Sequence, residues 1–153
     1  ARNLTGCVDE LLVVVKDRED PTSRMFLDEG YKVVVAENAE LGMGNSLKSG
    51  VRHSSGSYGW MIALADMPFI STETIHSLSL ELLKDAKLCA PVFRGVRGHP
   101  VCFSRGLVNQ LLELDDSDGA VQIVSKYSDE LVEVQTNDSG VLHDIDVPDD
   151  LIG

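Results

Sequence analysis

The sequence predicts an α/β fold in which helices cover a mostly parallel sheet. Short β-branched runs alternate along the chain with segments of helical periodicity. No internal repeat, low-complexity tract or linker interrupts that alternation. With 153 residues, 43% of them hydrophobic, the chain can build a sizeable core, so residues 1–153 are expected to form a single domain.

The elements follow in order. Residues 1–9 have the look of a helix tail, so the chain enters an α/β unit part-way through. Residues 11–15, Leu-Leu-Val-Val-Val, are apolar on both faces and read as a buried strand. Residues 22–29 make a short helix with Gly30 as its C-terminal cap, and 31–36 the next strand. After a loop with two glycines, 46–53 is helical, with Leu47 and Val51 four apart on one face. A third buried strand covers 60–64. Ser71 caps a helix that runs to about Lys84. Strands at 88–92 and 100–103 flank a loop, helical stretches fall near 107–114 and 119–127, and 131–134 is a late strand. Residues 141–145 are expected to be extended, ahead of Pro148.

Composition excludes several classes. No apolar run is long enough to span a bilayer, and the first residues lack the apolar core of a secretory signal. Cys7, Cys89 and Cys102 are odd in number and form no C-x-x-C pair, which argues against a disulfide framework and for a reducing cytoplasm. Cys89 and Cys102 sit in apolar runs and read as small core residues. A net charge of −12 without a basic stripe argues against nucleic acid. A small anionic substrate would need a metal ion or local cations to offset that charge. Nothing in the sequence specifies an oligomeric state.

Four segments carry candidate chemistry. Asp66 follows a strand and precedes Met67 and Pro68, which turn the chain away. A carboxylate just past a strand's carboxyl end can hold a hard divalent cation, and it can equally cap the next turn. Asp144 and Asp146 lie two apart, on one side of an extended segment, and suit either a shared ion or a solvated acidic turn. Asp149 and Asp150 follow Pro148 and fit the first turn of a helix. Gly42, Gly44, Asn45 and Ser46 precede or open a helix, where free amides suit anions, although many such loops only start helices. Arg94, Arg97 and His99 concentrate cations between two strands, for phosphate binding or as an exposed hairpin.

These segments, in this order, resemble the molybdenum cofactor cytidylyltransferases and related molybdopterin nucleotidyltransferases. The matching pieces are Gly42-Met43-Gly44-Asn45-Ser46-Leu47-Lys48-Ser49-Gly50-Val51, Leu64-Ala65-Asp66-Met67-Pro68 and Arg97-Gly98-His99-Pro100-Val101-Cys102-Phe103. Asp118-Gly119-Ala120 and the run from Gly140 through Asp144-Ile145-Asp146-Val147-Pro148 to Leu151 complete the set. The resemblance implies a Rossmann-like three-layer nucleotidyltransferase (GT-A-like) fold. It implies transfer of a nucleotidyl group, CMP from CTP in the cytidylyl branch, to a phosphorylated acceptor such as molybdopterin, releasing pyrophosphate. Asp66 matches the metal-binding aspartate, and Asp146 with Asp144 the motif that completes a magnesium (or manganese) site. Gly44, Asn45 and Ser46 match the segment near the base and ribose; Arg97, Gly98 and His99 match the acceptor-side loop.

The family opens with a strand and a Gly-rich loop that wraps the triphosphate, and these 153 residues do not contain that segment. The expectation is therefore a domain lacking its first strand–loop–helix. Two alternatives stay open: transfer from GTP or ATP to another phosphate monoester, and a non-catalytic nucleotide-binding regulator.

Overall fold

A computed structural model describes residues 1–37, 39–117 and 119–145. It is mixed α/β, as the sequence predicts, and its residues fall into two compact units.

One unit comprises Glu10–Tyr58 and Arg105–Ser128. Strand β1 (Leu12–Val15) runs parallel to β2 (Lys32–Val35), joined by helix α1 (Pro21–Asp28). The Asp20 carboxylate accepts from the Thr22 N–H at 2.8 Å, and Pro21 stands at the first helical position, where its missing N–H costs nothing. Gly30, at φ +83°, ends the helix as predicted. Helix α2 (Met43–His53) packs on β1 and on α4 (Val108–Leu112), and α5 (Val121–Lys126) follows. The α2 helix starts three residues earlier than the sequence suggests. Gly42, at φ +135°, turns the chain there and draws Met43, Gly44 and Asn45 into the first turn.

The other unit comprises Ala1–Asp9, Gly59–Ser104 and the described part of Asp129–Gly153. A 3-10 turn at Arg2–Leu4 leads in. Strand β3 (Gly59–Ile62) pairs with β6 (Val101–Ser104), which pairs with the start of β4 (Leu88–Phe93). Strand β5 (Val96–Arg97) pairs with the end of β4, and β7 (Leu131–Gln135) runs along β4 from Leu88 to Val92. Helix α3 (Thr72–Leu83) packs against β4 and β6. Only β4/β7 is parallel in this sheet. Residues 94–100 are too few for the crossover a parallel return demands, so β4 and β6 pair antiparallel. Cys89 and Cys102 face each other across that pair, both fully buried. A hydrogen bond with Cys89, together with burial, pushes the Cys102 thiol well above its ordinary range, which suits a core residue and not a nucleophile.

Three expectations change. The α/β class holds, but the five-stranded sheet is mostly antiparallel where the sequence predicts mostly parallel pairing, because short connections return β5 and β6 alongside β4. Strands β1 and β3 are half-buried apart from Trp60, because among the described residues each has a strand neighbour on one side. Residues 141–145 are not extended throughout: Val141 and Leu142 belong to a 3-10 turn, Ser139–Leu142. Asp138 imposes it by accepting from the Gly140 N–H at 2.9 Å.

The same carboxylate accepts from the Ser71 N–H at 2.7 Å and the Thr74 hydroxyl at 2.9 Å. Burial alone would raise the Asp138 carboxyl, but the bonds from Ser71, Thr74 and Gly140 outweigh it and hold it below the usual carboxylate range. Its stabilising contribution is therefore complete well above the unfolded value near pH ~3.9 and is lost as pH falls through the lower folded value. Asp138→Asn is expected to cost roughly 1–3 kcal/mol at neutral pH. In urea titrations the gap from wild type should close in strong acid; a gap independent of pH would refute the assignment.

Candidate active site

After β3 the chain leaves the sheet and reaches Asp66, whose side chain is exposed. Its neighbour Met67 is buried with Ile70, Ile75 and Val141, so the loop is anchored from within while the aspartate faces solvent. The Asn3 side-chain amide donates to the Pro68 and Ile70 carbonyls, at 3.1 and 2.8 Å, and holds the loop from its other side.

The hairpin 94–100 divides into two parts. Its tip, residues 94–97, is exposed, with Arg94 at φ +51° and Gly95 at φ +80°, and the Arg94 guanidinium lies 5.0 Å from the Phe93 ring centre. That much matches a solvated turn. Its base is tied down: Gly98 is buried and donates to the Pro91 carbonyl at 2.9 Å, and the His99–Pro100 peptide is cis.

Residues 139–145 join these two loops. Gly140 lies against the Phe69 backbone, where an added Cβ would come 2.5 Å from the Phe69 carbonyl carbon. Val141 is fully buried, and its carbonyl accepts from the His99 N–H at 2.9 Å. The Ile145 N–H donates to the Asp66 carbonyl, also at 2.9 Å. His143 meets Phe69 edge-to-face, with ring centres 6.0 Å apart. The strap thus brings Asp66, the base of the arginine hairpin and exposed Asp144 into one neighbourhood. Asp146 lies outside the described residues.

His99 is half-buried, and its Nδ1 is buried with no hydrogen-bond partner among the described residues. Burial lowers its pKa, the Asp66 carboxylate opposes that shift, and Arg97 adds to it. The net shift is downward, so the ring is neutral at pH 7. It can therefore offer one donor and one acceptor nitrogen.

In the other unit, Gly44 and Asn45 are buried in the first turn of α2 and Ser46 is half-buried. The Asn45 amide donates to the Glu37 carbonyl. Asn45 therefore holds the preceding loop as well as opening the helix.

The family model for the MobA-like NTP transferase domain matches residues 1–131. The chain belongs to this family. It is thus a nucleotidyltransferase domain, with a nucleoside triphosphate as its substrate class. Purine catabolism protein PucB of Bacillus subtilis (strain 168) is 33% identical over 161 residues, covering 96% of this chain and 76% of that protein. Rv0371c of Mycobacterium tuberculosis H37Rv superposes with a TM-score of 0.79 at 22% identity, over 99% of this chain and 77% of that one. Its manganese complex gives 0.76 at 21% identity, over 99% and 78%. A nucleotidyl transferase from Methanothermobacter (Mth528) gives 0.75 at 21% identity, over 95% and 71%. These likenesses establish the Rossmann-like nucleotidyltransferase fold.

The donor chemistry of this MobA-like domain fits a hard divalent ion. Among the described residues no three His, Cys, Asp or Glu side chains converge as a metal cage. Magnesium does not need one: it commonly binds one or two carboxylates and takes its other ligands from water and substrate phosphates. Asp66 and Asp144 are the carboxylates that could supply such donors, from backbone positions linked through Ile145. No helix among the described residues is long and apolar enough to cross a membrane.

Sequence reasoning did not single out Asp138 or Asn3, which hold the loops around Asp66. Asp138 had a legible signal in Asp138-Ser139-Gly140, a pattern that favours a turn closed by the aspartate side chain. Asn3 had none, since its partners lie 65 and 67 residues away.

Proposed function

We propose that this nucleotidyltransferase moves CMP from CTP to the terminal phosphate of molybdopterin. An acceptor phosphate oxygen forms a bond to the α-phosphorus, the bond from that phosphorus to the bridging oxygen breaks, and pyrophosphate leaves. Asp66 and Asp144, with Asp146, hold magnesium or manganese, which when bound offsets the charge of the triphosphate. Arg97, exposed on the hairpin, attracts and orients the acceptor phosphate. Gly98 lets the hairpin base lie close to Val141, and neutral His99 offers a hydrogen bond on the acceptor side without adding charge. Gly44, Asn45 and Ser46 contact the base and ribose. No protein nucleophile takes part; positioning and electrostatics supply the rate.

The observation that carries this reading is the strap, which links the Asp66 loop to Asp144 and to the arginine hairpin through backbone hydrogen bonds. The cytidylyl assignment rests on the Gly42-Met43 to Ser46-Leu47 pattern. The relationship to PucB favours purine catabolism as the setting in which the product is used.

The test is pyrophosphate release with CTP, GTP or ATP, each with molybdopterin and magnesium or manganese. CTP should give the fastest release. Faster release with GTP or ATP would replace the base assignment. Nucleotide binding without release under every condition would overturn the enzyme reading in favour of a regulatory domain.

A further inference from the structure

Lys48 has no place in the chemistry above, yet its environment is unusual. Lysines are seldom buried, because removing the ammonium from water is costly unless it is paired. Lys48 is 9% exposed. Its ammonium donates to the Leu114 carbonyl at 2.8 Å and to the Asp116 carboxylate. Asp116 itself is much more open, at 44% side-chain exposure against 11% for Lys48. The pair is therefore anchored on the helix side and reaches out to the loop.

Two further contacts join the same segments. Gly42, the residue that starts α2, lies so close to the loop that an added Cβ would come 2.5 Å from the Asp116 carbonyl oxygen and 2.8 Å from the Ser117 Cα. Gly119 lies over Met43, where a Cβ would come 3.2 Å from the sulfur. Asp116, Ser117 and Gly119 thus lie against the N-terminal end of α2, at Gly42 and Met43. Gly44 and Lys48 are four apart and share a helix face, so the clamp sits one turn below the residues assigned to the nucleotide. Apolar packing would hold the loop without setting its register. A charged, two-acceptor contact fixes a direction and a distance.

We infer that Lys48 is a positioning residue for the nucleotide: its ammonium, shared between Leu114 and Asp116, locks residues 114–117 onto the first turn of α2 and so sets the backbone of Gly44, Asn45 and Ser46. This rests on the nucleotide assignment of those three residues. Residues 114–117 then belong to the nucleotide subsite, and Asp116 tunes affinity without touching the ligand.

The experiment measures CTP dissociation constants, and KM values for CTP and for the acceptor, in wild type, Lys48→Met, Lys48→Arg and Asp116→Asn. Misplacing a binding backbone by about an ångström can cost up to roughly 100-fold. Lys48→Met is expected to weaken CTP at least about tenfold, with acceptor KM unchanged. Lys48→Arg should recover part of that loss. Asp116→Asn should shift CTP affinity in the same direction but less, because the Leu114 carbonyl remains. A purely structural lysine would lower the melting temperature and leave CTP affinity as it is, and that result overturns the inference. If Lys48→Met does not fold, Asp116→Asn decides alone, and unchanged CTP affinity there is equally fatal. Wild-type protein that binds no CTP, GTP or ATP would remove the nucleotide assignment and this inference together. Wild-type binding matched by equal binding in the variants removes only the inference.

Discussion

Asp66→Asn is expected to lower turnover by at least roughly 10²–10³-fold, the scale seen when one electrostatic contact to a transition state is removed. The fold should not notice. The Asp66 side chain is exposed, and the contact this residue makes with the strap uses its backbone carbonyl, which asparagine retains. Surface substitutions of this kind usually stay within about 0.5 kcal/mol of wild type. The contrast between lost turnover and retained stability separates a metal ligand from a turn cap, the two roles its sequence context allows. Pyrophosphate release and a thermal melt on the same sample measure both. Turnover close to wild type would end the metal assignment, and an equal loss of stability would return the residue to a capping role.

Gly98→Ala should be damaging for a different reason. The methyl would fall inside contact distance of the Val141 carbonyl oxygen and 2.8 Å from both its carbonyl carbon and its Cγ2. That carbonyl cannot yield freely, since it accepts the His99 N–H at 2.9 Å and belongs to a fully buried residue. Overpacking a tight interior contact costs about 1–3 kcal/mol. In a protein of this size each of those is worth roughly 2–4 °C in Tm. The strap that carries Asp144 must move to relieve the clash, so activity is expected to fall with stability. Gly56→Ala is the matched control, because a methyl there meets nothing within 4 Å. A Gly98→Ala protein with wild-type Tm and activity would show that the strap does not set the site.

Much of this architecture was legible beforehand, for identifiable reasons. Ser71 caps α3 by accepting the Thr74 N–H at 3.2 Å, and Gly30 ends α1 at positive φ; both depend on a few adjacent residues. The position of Asp66 beyond β3 was legible because an apolar run followed by Asp66-Met67-Pro68 marks both a strand and its exit. Residues 141–145 misled because Val141 and Leu142 look like strand residues. The deciding group was the Asp138 carboxylate, which serves Ser71, Thr74 and Gly140 at once. Strand β5 was overlooked because Val96 and Arg97 are too short to show a period.

Caps, turns and the alternation of strands with helices come from interactions a few residues apart, and the order of residues along the chain specifies them directly. The pairings that gather the candidate site do not. Lys48 meets Leu114 and Asp116 across 66 and 68 residues, Gly98 accepts the close approach of Val141, and Asp66 bonds to Ile145. Each joins groups with no local preference for one another, and forms because burial of the surrounding core returns the chain to that point.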